Sequence, residues 1–302
     1  MDIEKKRQLS WGEFLIERAI QAAGISAIVL VLLIFLFLIR EGLPAFVEIP
    51  LSSLLDRRWY PIEDYFGLRS LIFGSLLVTV GAALISLPLG LATAIFIGEI
   101  TPSWVREILK PFVEVLAGIP SVVIGFIGMV ALAPWVRIIL DIPTGLTAFT
   151  GAVLLAWMAL PTIVSVAEDA LDAVPKTYRD AGLALGLTKW QTIWRIVVPA
   201  ARSGVLTALM LGVGRAIGET MTVMMVTGNA ARIPTGPRDL FLPVRTMTAT
   251  IAAEMGEVAQ GSPHYHVLFA VGLTLFVITF IVNMAAAAVV FRQVKRSERV
   301  LS

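Results

Sequence analysis

Six stretches of the chain, at about 20–39, 70–97, 111–134, 146–167, 204–226 and 267–291, are almost wholly apolar. A hydrocarbon core about 30 Å thick takes roughly 20 such residues per helix. In lipid the backbone must satisfy its own hydrogen bonds, which leaves helices or closed barrels as spanning structures. The pattern therefore predicts an all-α integral membrane protein with six transmembrane helices. A soluble bundle would need polar stripes at helical spacing, and these stretches carry none of useful length. The charged share is 15%, well below the roughly 25% typical of soluble domains.

The sequence contains no cysteine, so disulfides, thiolate metal sites and cysteine nucleophiles are excluded. A net charge of only +2 offers no nucleic-acid surface. The N-terminus, "MDIEKKRQLSWGEFLIERAIQ", places basic residues before an apolar run, as a signal peptide does. It also contains acids, and "REGLP" follows in place of a small-residue cleavage site, so a retained first helix is expected. Ser10 and Glu13 have capping-box spacing and predict an amphipathic lead-in helix. Basic residues gather in cytoplasmic segments. With the N-terminus inside, the inner segments hold the larger share, from Lys5, Lys6 and Arg7 to Lys295 and Arg296, which places both termini in the cytoplasm. The chain then divides into a cytoplasmic amphipathic segment (1–19), a first transmembrane helix with an external loop (20–69), a core of five helices (70–291) and a cytoplasmic tail (292–302).

Three pieces outside the spans have internal organisation. Segment 41–69 mixes Trp, Tyr and Pro with charges, which suits an interfacial stretch at the headgroups. Segment 227–266 begins with Gly/Pro turns and continues as a short helix over about 244–259. The third, "VPKTYRDAGLALGLTKWQTIWRIVVPAA" (174–201), reads as helix, break at Gly186, helix. Pro175 suits a first turn, Thr188 with Gln191 forms a second capping box, and Pro199 stops the second helix. Its apolar residues Ala181, Leu185, Ile193 and Ile196 need a cover, which lipid or a protein partner could supply.

Within 204–226, Arg215 and Glu219 stand among Leu, Met, Val and Gly. Each mid-membrane charge costs about 2.5–3.5 kcal/mol on insertion scales, and such residues usually face a bundle interior. In a continuous helix the four-residue spacing puts both on one face. They could neutralise one another, although Arg before Glu is the weaker order, or they could serve a solute. Gly212, Gly214 and Gly218 leave room for another helix. Gly118 and Pro120 are expected to kink the third span and free backbone groups. Glu99 reads as interfacial, Glu114 as a first-turn acid after Pro111, and His264 and His266 as solvated at a loop end. No metal site and no catalytic cluster are expected. No lysine follows a glycine, so a Walker A loop is absent from the sequence.

The spacing Asp180-Ala181-Gly182, then Gly186, then Ile196-Val197-Val198-Pro199 resembles the EAA loop of ABC-importer permeases, with Asp for Glu and Gly for the second Ala. The glycine should loosen the helix by about 1 kcal/mol against alanine. "LAGIPSVVIGFIG" (116–128), "GRAIGETMTVMMVTGN" (214–229) and "FLPVRTMTATIAAEMGEV" (241–258) narrow the likeness to PstC-type permeases of phosphate importers. The resemblance covers about 59–291 and implies a type I ABC-importer permease architecture. It implies that Asp180, Ala181, Gly182, Leu185 and Gly186 belong to a coupling helix seated on an ATPase. It implies three kinds of partner besides lipid: a homologous PstA-type permease, a PstB-type ATPase dimer that carries ATP and Mg, and a PstS-type external phosphate-binding protein docking on 227–266, with Arg232, Arg238 and Arg245 available to it. No cofactor would be held on this chain. Arg215 and Glu219 would line the substrate path, Arg215 as a cationic station for phosphate. The alternatives are a sulfate or molybdate permease within the importer class and, from another class, a proton-coupled transporter that uses Glu219.

Overall fold

The computed structural model describes the backbone of residues 11–301 and the side chains of 14–236 and 238–288. Helix α1 (Trp11–Glu48) is one rod, so the lead-in helix and the first span are a single element. The Ser10–Glu13 capping box lies outside the described side chains. Helix α2 (Leu51–Leu54) and an antiparallel hairpin of β1 (Trp59–Tyr60) with β2 (Tyr65–Phe66) lead to α3 (Leu68–Ile95), which closes in a π turn, Phe96–Ile100. Next come α4 (Ser103–Ala117), α5 (Ser121–Ile127), a π turn at Gly128–Leu132, α6 (Ala133–Leu140) and α7 (Ala148–Asp172). The loop predicted at 174–201 holds α8 (Lys176–Ala184), α9 (Lys189–Thr192), a π turn at Ile193–Val197 and α10 (Val198–Ala200). The chain ends through α11 (Arg202–Gly218), α12 (Met221–Val226), α13 (Met247–Glu254) and α14 (Pro263–Leu301).

Among the described residues, five stretches are long and apolar enough to cross a membrane: Phe14–Glu48, Leu68–Ile100, Ser121–Leu140, Ala148–Asp172 and Pro263–Ala288. A sixth is reached when Lys189–Ala200 and Arg202–Gly218, bent by 75° at Ala201, count as one. Two expected spans are corrected. The third runs over 121–140, not 111–134, because the chain breaks at Gly118-Ile119-Pro120. Pro120 lacks an N–H and disfavours helix at Ile119, so residues 111–117 belong to the amphipathic α4. Pro111 therefore lies inside α4, and Glu114 is not a first-turn acid. The fifth span is not continuous over 204–226, because α11 stops at Gly218 and Glu219 is extended (φ −70, ψ 130).

Helix α7 is the centre of the bundle, packed between α3 and α11. Small residues let the three backbones approach. A Cβ on Gly90 of α3 would lie 2.6 Å from Ile163 Cγ2, and one on Gly212 of α11 would lie 2.3 Å from Ile163 Cγ1. Ile163 is thus wedged between the two glycines and is fully buried. Helix α1 stays outside this core and rests on α14 through Phe35 on Phe276 and Phe37 on Phe269.

Segment 41–69 is not held by headgroups alone, although Tyr60 and Tyr65 are exposed. Trp59 and Phe66 of the hairpin are buried in one cluster with Met247, Val267 and Leu268. The hairpin caps the end of the bundle opposite the 174–201 loop; we call these the cap end and the basic end. Burying two aromatic rings is worth more than leaving them at a headgroup surface, since each can cover roughly 150–250 Å².

Candidate functional site

Beside the middle of α7 the two chain breaks, at 118–120 and at 218–219, meet. Thr222 Oγ1 at the start of α12 donates to Ser121 O at the start of α5 (3.0 Å), and a Cβ on Gly125 would lie 3.1 Å from the Thr222 Cα. Arg215, in the last turn of α11, reaches toward the same place. Its guanidinium contacts Thr162 Oγ1 of α7 and the Ala117 carbonyl at the end of α4, both at 3.5 Å. These are long contacts, at the weak limit of hydrogen bonding. Thr207, Thr274 and Thr279 return their hydroxyls to carbonyls of their own helices, whereas Thr162 faces the arginine.

Arg215 and Glu219 do not form the expected helical pair. With the helix ended at Gly218 the four-residue rule no longer applies, and the Glu219 carboxylate turns to accept from Thr222 N (3.3 Å). It serves the first turn of α12, where exposed N–H groups favour an acid. Thr248 Oγ1 of α13 holds the Glu219 carbonyl at 3.0 Å. Among the described residues no carboxylate comes within ion-pair distance of Arg215, which is exposed on this chain. A Cβ on Gly214 or Gly218 would meet nothing within 4 Å, so this side of α11 is open, while Gly212 is filled by α7.

At the basic end, the predicted capping box at Thr188 and Gln191 is present, and Gly186 makes the break with φ +79. Asp180, Ala181 and Leu185 are exposed, Leu185 at 80%. Ile193 is buried and Ile196 half-buried against the chain itself, so only part of the expected apolar set faces outward. Gly182 is buried, with Thr192 and Ile196 where its Cβ would be.

Beneath this loop lies a charge network that pattern reading missed. Arg179 of α8 pairs with Glu99 (2.5 Å). Lys110 of α4 bonds Glu168 at 2.7 Å and Asp169 at 2.6 Å, and Arg106 bonds Glu168 and, at 3.1 Å, Asp172. Hydrogen bonds to Asp169 and Glu168 hold the Lys110 ammonium above its ordinary range. Glu99 is therefore paired and not merely interfacial. The available signal was the i, i+4 spacing of Arg106 and Lys110 on the polar face of α4, opposite three acids that close α7.

The cap end corrects two more expectations. His264 is not solvated: its Nε2 lies 2.8 Å from Glu254 Oε2, and His266 Nδ1 lies 2.9 Å from the Glu41 carbonyl. Glu254 also accepts from Trp59 Nε1 (3.0 Å) and pairs with Arg245. Burial pushes the Glu254 carboxyl up, but His264, Trp59 and Arg245 outweigh it and hold it below the usual carboxylate range. Arg245 is thus engaged within the chain. Arg232 reaches Asp239 at 3.5 Å, and Arg238 is exposed.

Residues 86–295 match the family described as binding-protein-dependent transport system inner membrane component. A Bacillus subtilis (strain 168) protein named "Probable ABC transporter permease protein YqgH" is 39% identical over 253 residues, 82% of this chain and 81% of its own. The phosphate transport system permease protein PstC of Mesorhizobium japonicum is 35% identical over 291 residues, 90% of this chain and 88% of its own. Among solved structures, a chain of a bacterial alginate ABC transporter with a periplasmic protein aligns with a TM-score of 0.61 at 17% identity, covering 91% of this chain and 95% of that one. A chain of the inward-facing methionine transporter MetNI aligns with a TM-score of 0.59 at 17% identity, over 78% and 99%. The chain is a multi-pass inner-membrane protein with the fold of a type I ABC-importer permease, and it belongs to the binding-protein-dependent transport system inner membrane component family.

Proposed function

We propose that this chain is the permease subunit of an ATP-driven phosphate importer. The observation that carries the reading is Arg215: a membrane-depth guanidinium beside two helix breaks, with no carboxylate partner in the chain among the described residues. Its fork matches phosphate oxygens in a bidentate way, and its long contacts leave it little to give up on meeting an anion. Several relatives bear the name of phosphate permeases, which supports the choice of anion. One arginine does not balance a dianion. A homologous permease closing the open side of α11 would contribute a second cation. Glu219 lines the same place, capping α12, and keeps its acceptor oxygens near the path.

The exposed Asp180, Ala181 and Leu185 on and after α8 support docking on an ATPase dimer, which would carry ATP and Mg. This chain then acts as a transport subunit, not an enzyme. The positive-inside rule puts the basic end and both termini in the cytoplasm. The cap end would face a phosphate-loaded external binding protein.

Labelled phosphate uptake, normalised to assembled complex, tests the reading. Arg215→Gln should insert and assemble yet move no phosphate, and Arg215→Lys should keep reduced uptake because it loses the planar fork. Because Glu219 is not the arginine's counterion, adding Glu219→Gln should not restore transport. Near-normal uptake in Arg215→Gln would refute the station.

A further inference from the structure

We propose that Arg179 and Glu99 form the joint through which a displacement of α8 reaches the second span, α3. The proposal rests on reading α8 as the ATPase-docking helix. On that helix Asp180, Ala181 and Leu183 are exposed, whereas Arg179 is turned inward. Its Nε donates to Glu99 Oε2 at 3.1 Å and its Nη2 to Glu99 Oε1 at 2.5 Å. Nη2 also donates to the Leu171 carbonyl at 2.9 Å, and Nη1 to the Val174 carbonyl at 2.6 Å. The Leu171 carbonyl lies in the last turn of α7 and the Val174 carbonyl just past its end, where a helix C-terminus favours a cation. Glu99 comes from the π turn that closes α3, and its side chain is only 6% exposed. One side chain of α8 therefore holds three elements together.

The inward contact of α8 at Gly182 meets Thr192 and Ile196, which belong to the same loop. Among the described residues, Arg179 supplies the polar links from α8 to the spans. A bidentate pair is directional, and separating it would strand a desolvated charge. Helix α8 cannot tilt away from α3 without either carrying Glu99 with it or breaking the pair. The same end of α7 is tied to α4 through Glu168, 1% exposed, with Lys110 and Arg106. The far end of α4 carries the Ala117 carbonyl that contacts Arg215. The joint is thus continuous, through packed and charged contacts, with the broken spans.

The experiment uses the whole importer in proteoliposomes: this chain, the partner permease, the ATPase and the binding protein, with inorganic phosphate. Leu185→Cys is first cross-linked to the ATPase in an otherwise unchanged chain. Absence of that cross-link would overturn the reading of α8 and the joint with it, before any change at position 99 or 179 is made. With docking established, Glu99→Gln should keep the cross-link and the unstimulated ATP hydrolysis. Stimulation by loaded binding protein, and phosphate moved per ATP, should fall by roughly 5–150-fold, the range of ordinary coupling free energies. Glu99→Asp and Arg179→Lys, which keep the charges, should fall less. Failure of Glu99→Gln to assemble, or hydrolysis and uptake falling together in proportion to assembled complex, would make the pair a fold contact and overturn the proposal. Unchanged stimulation in Glu99→Gln would overturn it as well.

Discussion

Gly182→Ala sets helix propensity against packing. By propensity alone, replacing a helical glycine with alanine stabilises α8 by about 1 kcal/mol. The structure opposes that gain. A Cβ at position 182 would lie 2.8 Å from Ile196 Cδ1 and 2.9 Å from both Thr192 Cγ2 and Oγ1. The Ile196 methyl ends a flexible side chain and can swing away. Thr192 cannot: it is branched at Cβ and stiff at χ1, 3% exposed, and closes the helix capped by Thr188 and Gln191. Overpacking of this kind costs about 1–3 kcal/mol, so the net effect is a loss of roughly 0–2 kcal/mol once the helix gain of about 1 kcal/mol is subtracted. Thr192→Ala removes both obstructing atoms, and its hydroxyl is buried without a hydrogen-bond partner. The double mutant should therefore be more stable than Gly182→Ala alone, with a favourable interaction term in the cycle. Hydrogen exchange over 176–197 measures the local opening free energy. Slower exchange in Gly182→Ala than in the parent chain would refute the packing account and leave propensity in charge.

Two further outcomes are expected from the same kind of measurement. Gly186→Ala places a side chain at φ +79, a left-handed position that costs an L-residue about 1–2 kcal/mol, so exchange over 183–189 should quicken. At the cap end, Glu254 is held below the usual carboxylate range. Its stabilising contribution is therefore complete above that range and is lost as pH falls through the depressed folded value; protection of 59–66 and 247–254 should drop in acid, and Glu254→Gln should flatten that dependence.

The spans were legible because apolar length is a direct physical requirement of the bilayer, and the 174–201 loop was legible because Thr188, Gln191 and Gly186 are local signals whose meaning needs no tertiary partner. What could not be read depends on contacts distant in sequence. Trp59 looked interfacial because nothing local reveals that Glu254, 195 residues on, accepts its N–H. His264 looked solvated for the same reason. Gly182 looked like a defect in a helix, since the Thr192 and Ile196 side chains that require it are visible only once α8 folds back on the following turns. The third span was displaced because 111–117 is apolar enough to pass for membrane, while the Gly118-Ile119-Pro120 break that separates it was read as a kink.

The central charges show how one local break changes a functional reading. A continuous helix over 204–226 would stack Arg215 under Glu219 and make mutual neutralisation the economical account of both. Gly218 ends that helix, and Glu219 spends its carboxylate on Thr222 N. The guanidinium is then left beside Ala117 O and Thr162 Oγ1, acceptors that carry no net charge. A full positive charge within the bilayer that lacks a counterion among the described residues is costly by a few kcal/mol, and neutral acceptors at 3.5 Å recover little of it. On the proposed reading the site would be complete only when something negative arrives on the open side of α11. A permanent carboxylate from a second subunit would satisfy the arginine between cycles but would compete with every anion in transit. On the proposed reading a mobile dianion would satisfy it only in passing, and that is the difference between a transport group and a strut.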